Sequence, residues 1–289
     1  MSLHKTFHIL PAIIGLILVS TSCNPEEENK ETTLTGKERN LPAHITYSYQ
    51  CLEKDSGSLS GILGKADDII GTVATFNIEV TDQEQVAFGE QFLKEAEQDK
   101  NFSIDFTNPI NEKLNQVLTE LLKKRVKPTG ISYKIYLLDD KATVNAYTVG
   151  GKIFITKAMI SKLKNEDQLY AIIGHEIGHN EKGHIKKGIK QMKASKNFFG
   201  EWGDMFFAAK KLLTGSFNQK NELEADYYGL DLTWKLGYDI CAIRSFWDEM
   251  ARVEEHDKDF DFMRTHPYSD TRSNCLVKHI EKNFKINCN

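Results

Sequence analysis

Residues 166–181 read EDQLYAIIGHEIGHNE, and the interpretation of the whole chain begins from this run. Its apolar residues recur with the period of an α-helix, at Leu169, Ile172, Ile173 and Ile177. The pattern predicts one helix from about Glu166 to Gln191. His175 and His179 are four residues apart, so both imidazoles project from the same face of this helix.

Two imidazoles on one helix face can bind a single metal ion, and zinc is commonly held in this way. Glu176 stands beside them. Zinc makes water more acidic, and an adjacent carboxylate can take that proton and deliver it to a leaving amine. These residues therefore indicate a metallopeptidase. The alternative is a solvated helix face that carries two ordinary histidines.

A catalytic zinc site usually has a third protein ligand. His184 is the nearest candidate, but it is not in the metzincin register, which places the third histidine where Ile185 stands. Glu222, on a second predicted helix from Asn221 to Leu236, is the better candidate. The sequence therefore favours His175, His179 and Glu222 as the metal ligands.

Glu222 heads the run Glu222-Leu223-Glu224-Ala225-Asp226. The spacing puts Glu222 and Asp226 on one face of the helix, and Glu224 is predicted to point elsewhere. One carboxylate can bind the metal while the other accepts an N–H from a ligating histidine and fixes its tautomer. A charged helix surface without function is the alternative.

HExxH followed by Glu-x-x-Ala-Asp resembles the gluzincin family that contains the CAAX prenyl endopeptidases, the HtpX heat-shock proteases and the soluble BepA-like periplasmic proteases. The resemblance covers roughly Thr81 to Arg272 and is closest to the BepA-like branch. Asn145-Ala146-Tyr147, leading to Gly150-Gly151, resembles the segment that lays an edge strand along the family's substrate cleft. Thr265-His266-Pro267 resembles a His-Pro segment placed near its active site.

The resemblance implies one Zn²⁺ per chain on His175, His179 and Glu222, with Glu176 as the general base. It makes Asp226 either the partner of a ligating histidine or a proton donor. His266 would steady the tetrahedral intermediate or cap the metal in a resting form; a loop histidine that fixes a turn is the alternative. The predicted substrate-binding residues are Asn145, Gly150, Gly151 and Arg272.

The predicted fold class is α+β, a zincin-like metalloprotease domain that is mostly helical with a small sheet. The capping box Thr81-Asp82-Gln83-Glu84 opens one helix, and Asn108-Pro109 opens another. Between Ile131 and Ile155 the period changes to two, which predicts the sheet. Its edge strand, near Gly151 to Ile155, is expected to bind an extended peptide through backbone hydrogen bonds.

The first residues predict a targeting segment with an apolar run too short to span a bilayer. Small residues before Cys23 resemble a lipobox, so residues 1–23 are interpreted as a lipoprotein-type signal peptide that ends at an acylated Cys23. An ordinary secretory peptide is the alternative. Residues 24–45 are predicted to be a flexible tether, and residues 46–289 the zinc metalloprotease domain.

Cys51, Cys241, Cys275 and Cys288 are an even set in a compartment that permits disulfides. A Cys275–Cys288 bridge is one of three possible connectivities. The aromatic stretch Phe198 to Phe217 is open to three interpretations: a lid, a membrane-surface helix or ordinary core. A net charge of −4 and the lack of a basic stripe argue against nucleic-acid binding.

The sequence thus predicts a zinc-dependent endopeptidase of the bacterial cell envelope, a periplasmic or outer-membrane lipoprotein. Its expected partners are an extended polypeptide, from misfolded or unassembled proteins, and the membrane through a lipid anchor. The alternative is a non-catalytic or gated envelope chaperone with a structural metal. A hydrolase of non-peptide amides or esters is a third interpretation. The sequence does not set the oligomeric state.

Overall fold

The computed structural model describes residues 38–55, 77–194, 217–254, 266 and 270–288, and the structural statements below concern these residues. They contain a small sheet of three strands: β1 (Lys134–Leu138), β2 (Ala146–Val149) and β3 (Lys152–Thr156). The strand order is β1-β3-β2, with β3 parallel to β1 and antiparallel to β2.

The strand from Gly151 to Ile155 is therefore the central strand, and its prediction as an edge strand is wrong. Lys152 pairs with Lys134 on one side and with Val149 on the other. All five residues of β3 are buried. Alternation along the chain predicts a strand, but the order of strands depends on which neighbours pack on each side.

Helices make up most of the described structure, which confirms a mixed α+β class. Thr81 caps the first helix with the predicted capping box, and Asn108-Pro109 directly precedes the second. A 3₁₀ turn and the third and seventh helices lie outside the segments predicted from periodicity. In chain order the elements are the 3₁₀ turn Gln50–Asp55, then α1 (Asp82–Ala96), α2 (Ile110–Lys123), α3 (Lys157–Lys162), α4 (Glu166–Glu181), α5 (His184–Ala194), α6 (Gln219–Lys235), α7 (Ala242–Glu254) and α8 (Asp270–Phe284).

Both faces of the sheet are covered by apolar side chains. Ile153 and Ile155 belong to the larger cluster, which includes residues of α2, α4, α6 and α8. Phe154, between them, points to the opposite face and packs in a second cluster with α1 and α5. In the described part of the chain, no helix combines the length and the apolar character needed to cross a bilayer.

The helices α4 and α6 cross at small residues. A Cβ added to Gly178 would lie 2.8 Å from the carbonyl oxygen of Ala225, and one added to Gly229 would lie 2.6 Å from the backbone nitrogen of His175. Only residues without side-chain bulk permit this approach. The crossing brings the first turn of α6, which carries Glu222, against the histidine face of α4.

The predicted single helix from Glu166 to Gln191 is in fact two helices, because α4 ends at Glu181 and α5 begins at His184. Gly183 lies between them with a φ of +76°, a conformation that favours glycine. The break changes the direction of the chain directly after the metal-binding motif.

The disulfides join Cys51 to Cys275 and Cys241 to Cys288. The predicted Cys275–Cys288 bridge is therefore wrong. Each bridge ties α8, or the residues just after it, to a segment distant in sequence, which the local spacing of cysteines does not reveal.

Asp231 on α6 is a buried carboxylate, and only one of its two oxygens accepts a hydrogen bond from the described residues. The hydroxyl of Tyr47 donates a hydrogen bond to Asp231 Oδ2, whereas Oδ1 has no hydrogen-bond partner among the described residues. Burial raises the pKa of Asp231 to about 6, although the Tyr47 hydrogen bond acts in the opposite direction. The ionised carboxylate is therefore less favourable in the folded protein than in the unfolded chain.

We expect Asp231→Asn to stabilise the protein at neutral pH. A folded pKa above the unfolded value means that stability falls as the pH rises from about 4 through 6, by at most about 3 kcal/mol. Asparagine keeps an acceptor for Tyr47 but has no charge. In urea unfolding, the gain of the variant over wild type should grow between pH 5 and pH 7.5.

The exposed Glu97, at the end of α1, supplies a matched control. Because its side chain is exposed, Glu97→Gln should change the free energy of unfolding by no more than about 0.5 kcal/mol. An Asp231→Asn variant whose stability differs from wild type by the same amount at both pH values would contradict the predicted burial cost.

Candidate metal centre

One ligand atom from each of His175, His179, Glu222 and His266 lies within 4.8 Å of the others, and all four residues are buried. His175 Nε2 is 2.9 Å from His179 Nε2 and 3.5 Å from Glu222 Oε2. His179 Nε2 is 3.4 Å from Glu222 Oε1. Ligands about 2.1 Å from a tetrahedral zinc ion are separated by about 3.4 Å, so these distances fit such a site.

The predicted role of Asp226 as the partner of a histidine agrees with this geometry. His175 Nδ1 is 2.8 Å from Asp226 Oδ1. An N–H at Nδ1 that donates to this carboxylate leaves the lone pair of Nε2 directed into the cluster. Asp226 thus fixes the tautomer that a metal ligand needs.

Arg272 lies against the carboxylates of Asp226 and Glu222. Its Nε and Nη2 donate to the two carboxylate oxygens of Asp226 at 2.6 and 2.9 Å, and Nη1 is 3.0 Å from Glu222 Oε2. The guanidinium also stacks over the ring of Trp247. Because the side chain is fully buried on these partners, the geometry does not support the predicted contact with substrate.

The ionisable side chains of the cluster lie in close contact, and these contacts shift their pKa values. Burial alone would lower the pKa of His175, but the hydrogen bonds that the imidazole donates to the carboxylates of Asp226 and Glu222 raise it to about 9. Burial likewise tends to raise the pKa of Glu222, yet electrostatic interactions with His266 and with the guanidinium of Arg272 hold it well below its ordinary value. The pKa of His179 is well below its ordinary value because of burial. His179 is therefore the neutral imidazole that metal binding requires.

Glu176 lies beside the four-residue cluster and is not part of it. It is fully buried, and neither carboxylate oxygen has a hydrogen-bond partner among the described residues. Glu222 Oε1 likewise has no hydrogen-bond partner among the described residues, although His179 Nε2 lies 3.4 Å away. Such atoms are costly unless something else satisfies them, and a cation with water at this site would do so. The residues therefore fit a metal centre.

His266 lies inside the cluster. Its Nδ1 is 3.2 Å from His175 Nε2 and 3.3 Å from Glu222 Oε2, while its Nε2 is 3.5 Å from Glu176 Oε1. The Nε2 atom also lies 3.2 Å from the carbonyl oxygen of Ala146 on β2. A histidine that only fixes a turn would not need these contacts. Thr265 and Pro267 lie outside the described residues.

Asn145, Gly150 and Gly151, predicted to bind substrate, are all buried. Asn145 exchanges backbone and side-chain hydrogen bonds with Thr156, and the two glycines form the turn between β2 and β3. These described contacts are structural, and they do not support a direct substrate contact. The residues instead shape the strand that runs past His266.

Asn180 fixes that turn to the metal-binding helix. Its Oδ1 accepts hydrogen bonds from the backbone N–H of Gly151 and the amide of Gln85. Its amide nitrogen donates to Thr148 Oγ1 and to the carbonyl oxygen of Glu176. This residue follows His179 directly, and its role was missed because the sequence does not show which strand lies beside α4.

Two further residues that the sequence does not predict as metal ligands contact the site. His184 Nδ1 is 3.1 Å from His179 Nδ1, and His184 Nε2 is 3.0 Å from Glu224 Oε2. The prediction that Glu224 points elsewhere is thus incomplete, because it reaches the site through His184. The sequence feature that could have indicated this contact is the position of Glu224 between Glu222 and Asp226 on α6.

The aromatic stretch Phe198 to Phe217 falls outside the described residues except at Phe217. The ring of Phe217 lies 4.2 Å from that of His179, measured between centroids. Cys23 and residues 1–37 also lie outside the described part of the chain, so the lipid anchor and the first part of the tether stay predictions. Residues 38–45 of the predicted tether are described: Leu41 and Ile45 pack against the larger apolar cluster, and the N–H of Arg39 donates to the carbonyl oxygen of Lys235.

Comparison with known proteins agrees with this geometry. The sequence pattern of Peptidase family M48 matches residues 109–280, which include His175, His179, Glu222 and His266. The chain belongs to Peptidase family M48. This confirms the family resemblance.

The chain is also similar to individual proteases. It is 26% identical to the metalloprotease LoiP of Escherichia coli (strain K12) over 162 residues, which are 51% of this chain and 63% of that protein. It is 29% identical to the mitochondrial metalloendopeptidase OMA1 of Schizosaccharomyces pombe over 180 residues, 57% of this chain and 51% of that protein. Over 223 residues it is 23% identical to the Beta-barrel assembly-enhancing protease of Yersinia pestis, which is 70% of this chain and 45% of that protein. The matches span less than two thirds of each relative.

Proposed function

We propose that this protein is a zinc endopeptidase with a zincin-like catalytic domain. The observation that carries the proposal is the buried cluster of His175, His179 and Glu222, with the carboxylate of Glu176 beside it, whose oxygens have no hydrogen-bond partner among the described residues. His175, His179 and Glu222 would hold one Zn²⁺ per chain. When bound, zinc supplies a Lewis acid that polarises a peptide carbonyl and makes water more acidic.

Glu176 provides the proton transfer. Burial raises its pKa above the ordinary glutamate value, while the charges of His266 and His175 act to lower it. A carboxylate whose pKa is brought nearer to neutrality can accept a proton from water at one oxygen and later give it to the leaving amine. Asp226 and Arg272 hold the imidazole of His175 in place during this exchange.

An extended polypeptide is the proposed substrate, and β2 is its proposed binding strand. β2 is an outer strand of the sheet, and the carbonyl oxygen of Ala146 lies at its start, against His266 Nε2. A peptide that pairs with this strand would pass beside Glu176. Asn180, on the helix α4 that also carries Glu176, holds the far end of β2 against that helix.

The cell envelope is the proposed location, with unassembled or misfolded proteins as substrates. Two disulfides among the four cysteines after Cys23 favour an oxidising compartment. One relative carries β-barrel assembly in its name, which suggests substrates that are being assembled. Acylation of Cys23 would anchor the chain to the membrane.

Zinc removal tests the function directly. We expect the purified full-length protein to cleave casein when it holds one zinc per chain, to lose cleavage after chelation and to regain it when zinc is returned. Cleavage that continues unchanged in the zinc-free protein would contradict the proposal.

The position of His266 favours a second candidate function, in which the same enzyme is gated. Its imidazole lies where a ligand or a substrate carbonyl would meet the cluster. If His266 caps the metal at rest, His266→Ala should cleave casein faster than wild type. If it steadies the tetrahedral intermediate, the same variant should be slower. A zinc-loaded wild type and a zinc-loaded His266→Ala that both fail to cleave would favour a binding module.

A further inference from the structure

His179 Nδ1, on the side of the ring opposite the ligand atom, faces the imidazole of His184. His179 Nε2 lies in the metal cluster, and His179 Nδ1 is 3.1 Å from His184 Nδ1. The other nitrogen of His184 is 3.0 Å from Glu224 Oε2. These contacts form a chain of three residues that ends at a carboxylate with 24% of its side chain exposed.

We propose that His184 and Glu224 are positioning residues, which fix the tautomer and orientation of His179 for metal binding. The proposal rests on the proposed zinc site and adds to it a set of residues matched to the Asp226–His175 pair. Each of the two proposed histidine ligands would then be oriented by a carboxylate of α6. Asp226 contacts His175 directly, and Glu224 acts on His179 through His184.

Hydrogen-bond chemistry allows only one assignment of protons along this chain. A metal bound through His179 Nε2 requires the lone pair there, so the proton of the neutral ring is on Nδ1. His184 Nδ1 must then accept, and the proton of His184 is on Nε2. That N–H donates to Glu224 Oε2, which accepts at 3.0 Å.

Glu224 is needed because a free imidazole can hold its proton on either nitrogen. If the proton of His184 moved to Nδ1, two N–H groups would face each other across 3.1 Å. An acceptor at Nε2 disfavours that tautomer, and Glu224 supplies it.

The helix break at Gly183 makes the contact possible. In a continuous helix, residues five apart are rotated by about 140° from each other, so His184 would point away from His179. The left-handed conformation of Gly183 starts a new helix at His184 and directs its side chain back to the site. His184 is 4% exposed, so its ring is held firmly in that position.

Zinc affinity, measured by competition with a chelator on the full-length protein, tests the proposal. His184→Phe keeps an aromatic ring beside Phe217 but has no acceptor, and it should lower zinc affinity by about 10- to 100-fold. Glu224→Leu should lower it in the same direction by a smaller factor. Glu224→Gln, whose amide oxygen can still accept, should retain most of the affinity.

Lys220 supplies the matched control, since it lies 3.9 Å from the other oxygen of Glu224 and is 58% exposed. Lys220→Ala should leave zinc affinity unchanged. The melting temperatures of the zinc-free variants should stay close to that of wild type, which separates positioning from a loss of folding.

Wild-type affinity in both His184→Phe and Glu224→Leu would overturn the proposal and leave the proposed function intact. A fall in affinity that is matched by an equal loss of zinc-free stability would also overturn it, since both would then be effects on folding. A wild-type protein that binds no zinc would instead contradict the proposed function.

Discussion

Glu176→Gln is expected to retain zinc and to lower the rate of casein cleavage by about 10²- to 10⁴-fold. Glutamine has nearly the shape of glutamate but cannot accept a proton from water at neutral pH. Glu176 is not among the four clustered ligand residues, so its substitution should not remove the metal. Zinc content per chain and initial cleavage rates, measured on the same preparation, check both parts of this expectation.

Glu166, in the first turn of the same helix, provides the control. Its carboxylate is half-exposed and pairs with Lys113, so Glu166→Gln should cleave casein at the wild-type rate. Casein cleavage by Glu176→Gln at the wild-type rate, with zinc bound, would show that Glu176 is not the general base.

Arg272→Met is expected to destabilise the zinc-free protein by about 3–5 kcal/mol, because it leaves two buried carboxylates without their shared cation. Both guanidinium edges are used, since Arg272 contacts Asp226 through two nitrogens and Glu222 through the third. Urea unfolding in the presence of a chelator measures the loss. The loss should be smaller in the zinc-loaded protein, because the metal brings positive charge to the same carboxylates.

Two further variants make this result interpretable. Arg272→Lys keeps the charge but cannot form the two-pronged contact with Asp226, so it should lose less stability than Arg272→Met. Arg244, partly exposed, pairs with Asp248 and donates to the carbonyl of Cys288. Arg244→Met should cost about 1 kcal/mol or less. A similarly small loss in Arg272→Met would show that the buried carboxylates do not depend on that residue.

The sequence was sufficient to predict that His175, His179 and Glu222 would come together, because they lie on helix faces. His175 and His179 are one turn apart, as are Glu222 and Asp226, and helical periodicity predicts such pairs directly. The capping box at Thr81 was equally local and was confirmed. What joins the two faces is the close crossing at Gly178 and Gly229, which is a property of the folded chain.

Features that depend on tertiary structure were missed or predicted incorrectly. The contact between His184 and His179 follows from one left-handed residue, Gly183, and periodicity alone extends the helix through it. The central position of β3 depends on which strands and helices pack around it. Likewise, the bridge between Cys51 and Cys275 joins residues that only the docking of α8 brings together.

The order of the site residues along the chain also sets the order in which they become available during synthesis. During synthesis, His175 and Glu176 emerge well before Glu222, and Arg272 and Cys275 follow later still. The nascent chain thus carries the HExxH motif while it still lacks the third ligand and the arginine that neutralises the carboxylates. Closure of the Cys51–Cys275 bridge requires α8 to be docked, which places Arg272 at the same time. Under the proposed function, an unfinished chain therefore lacks the complete centre that cleavage of peptides would require.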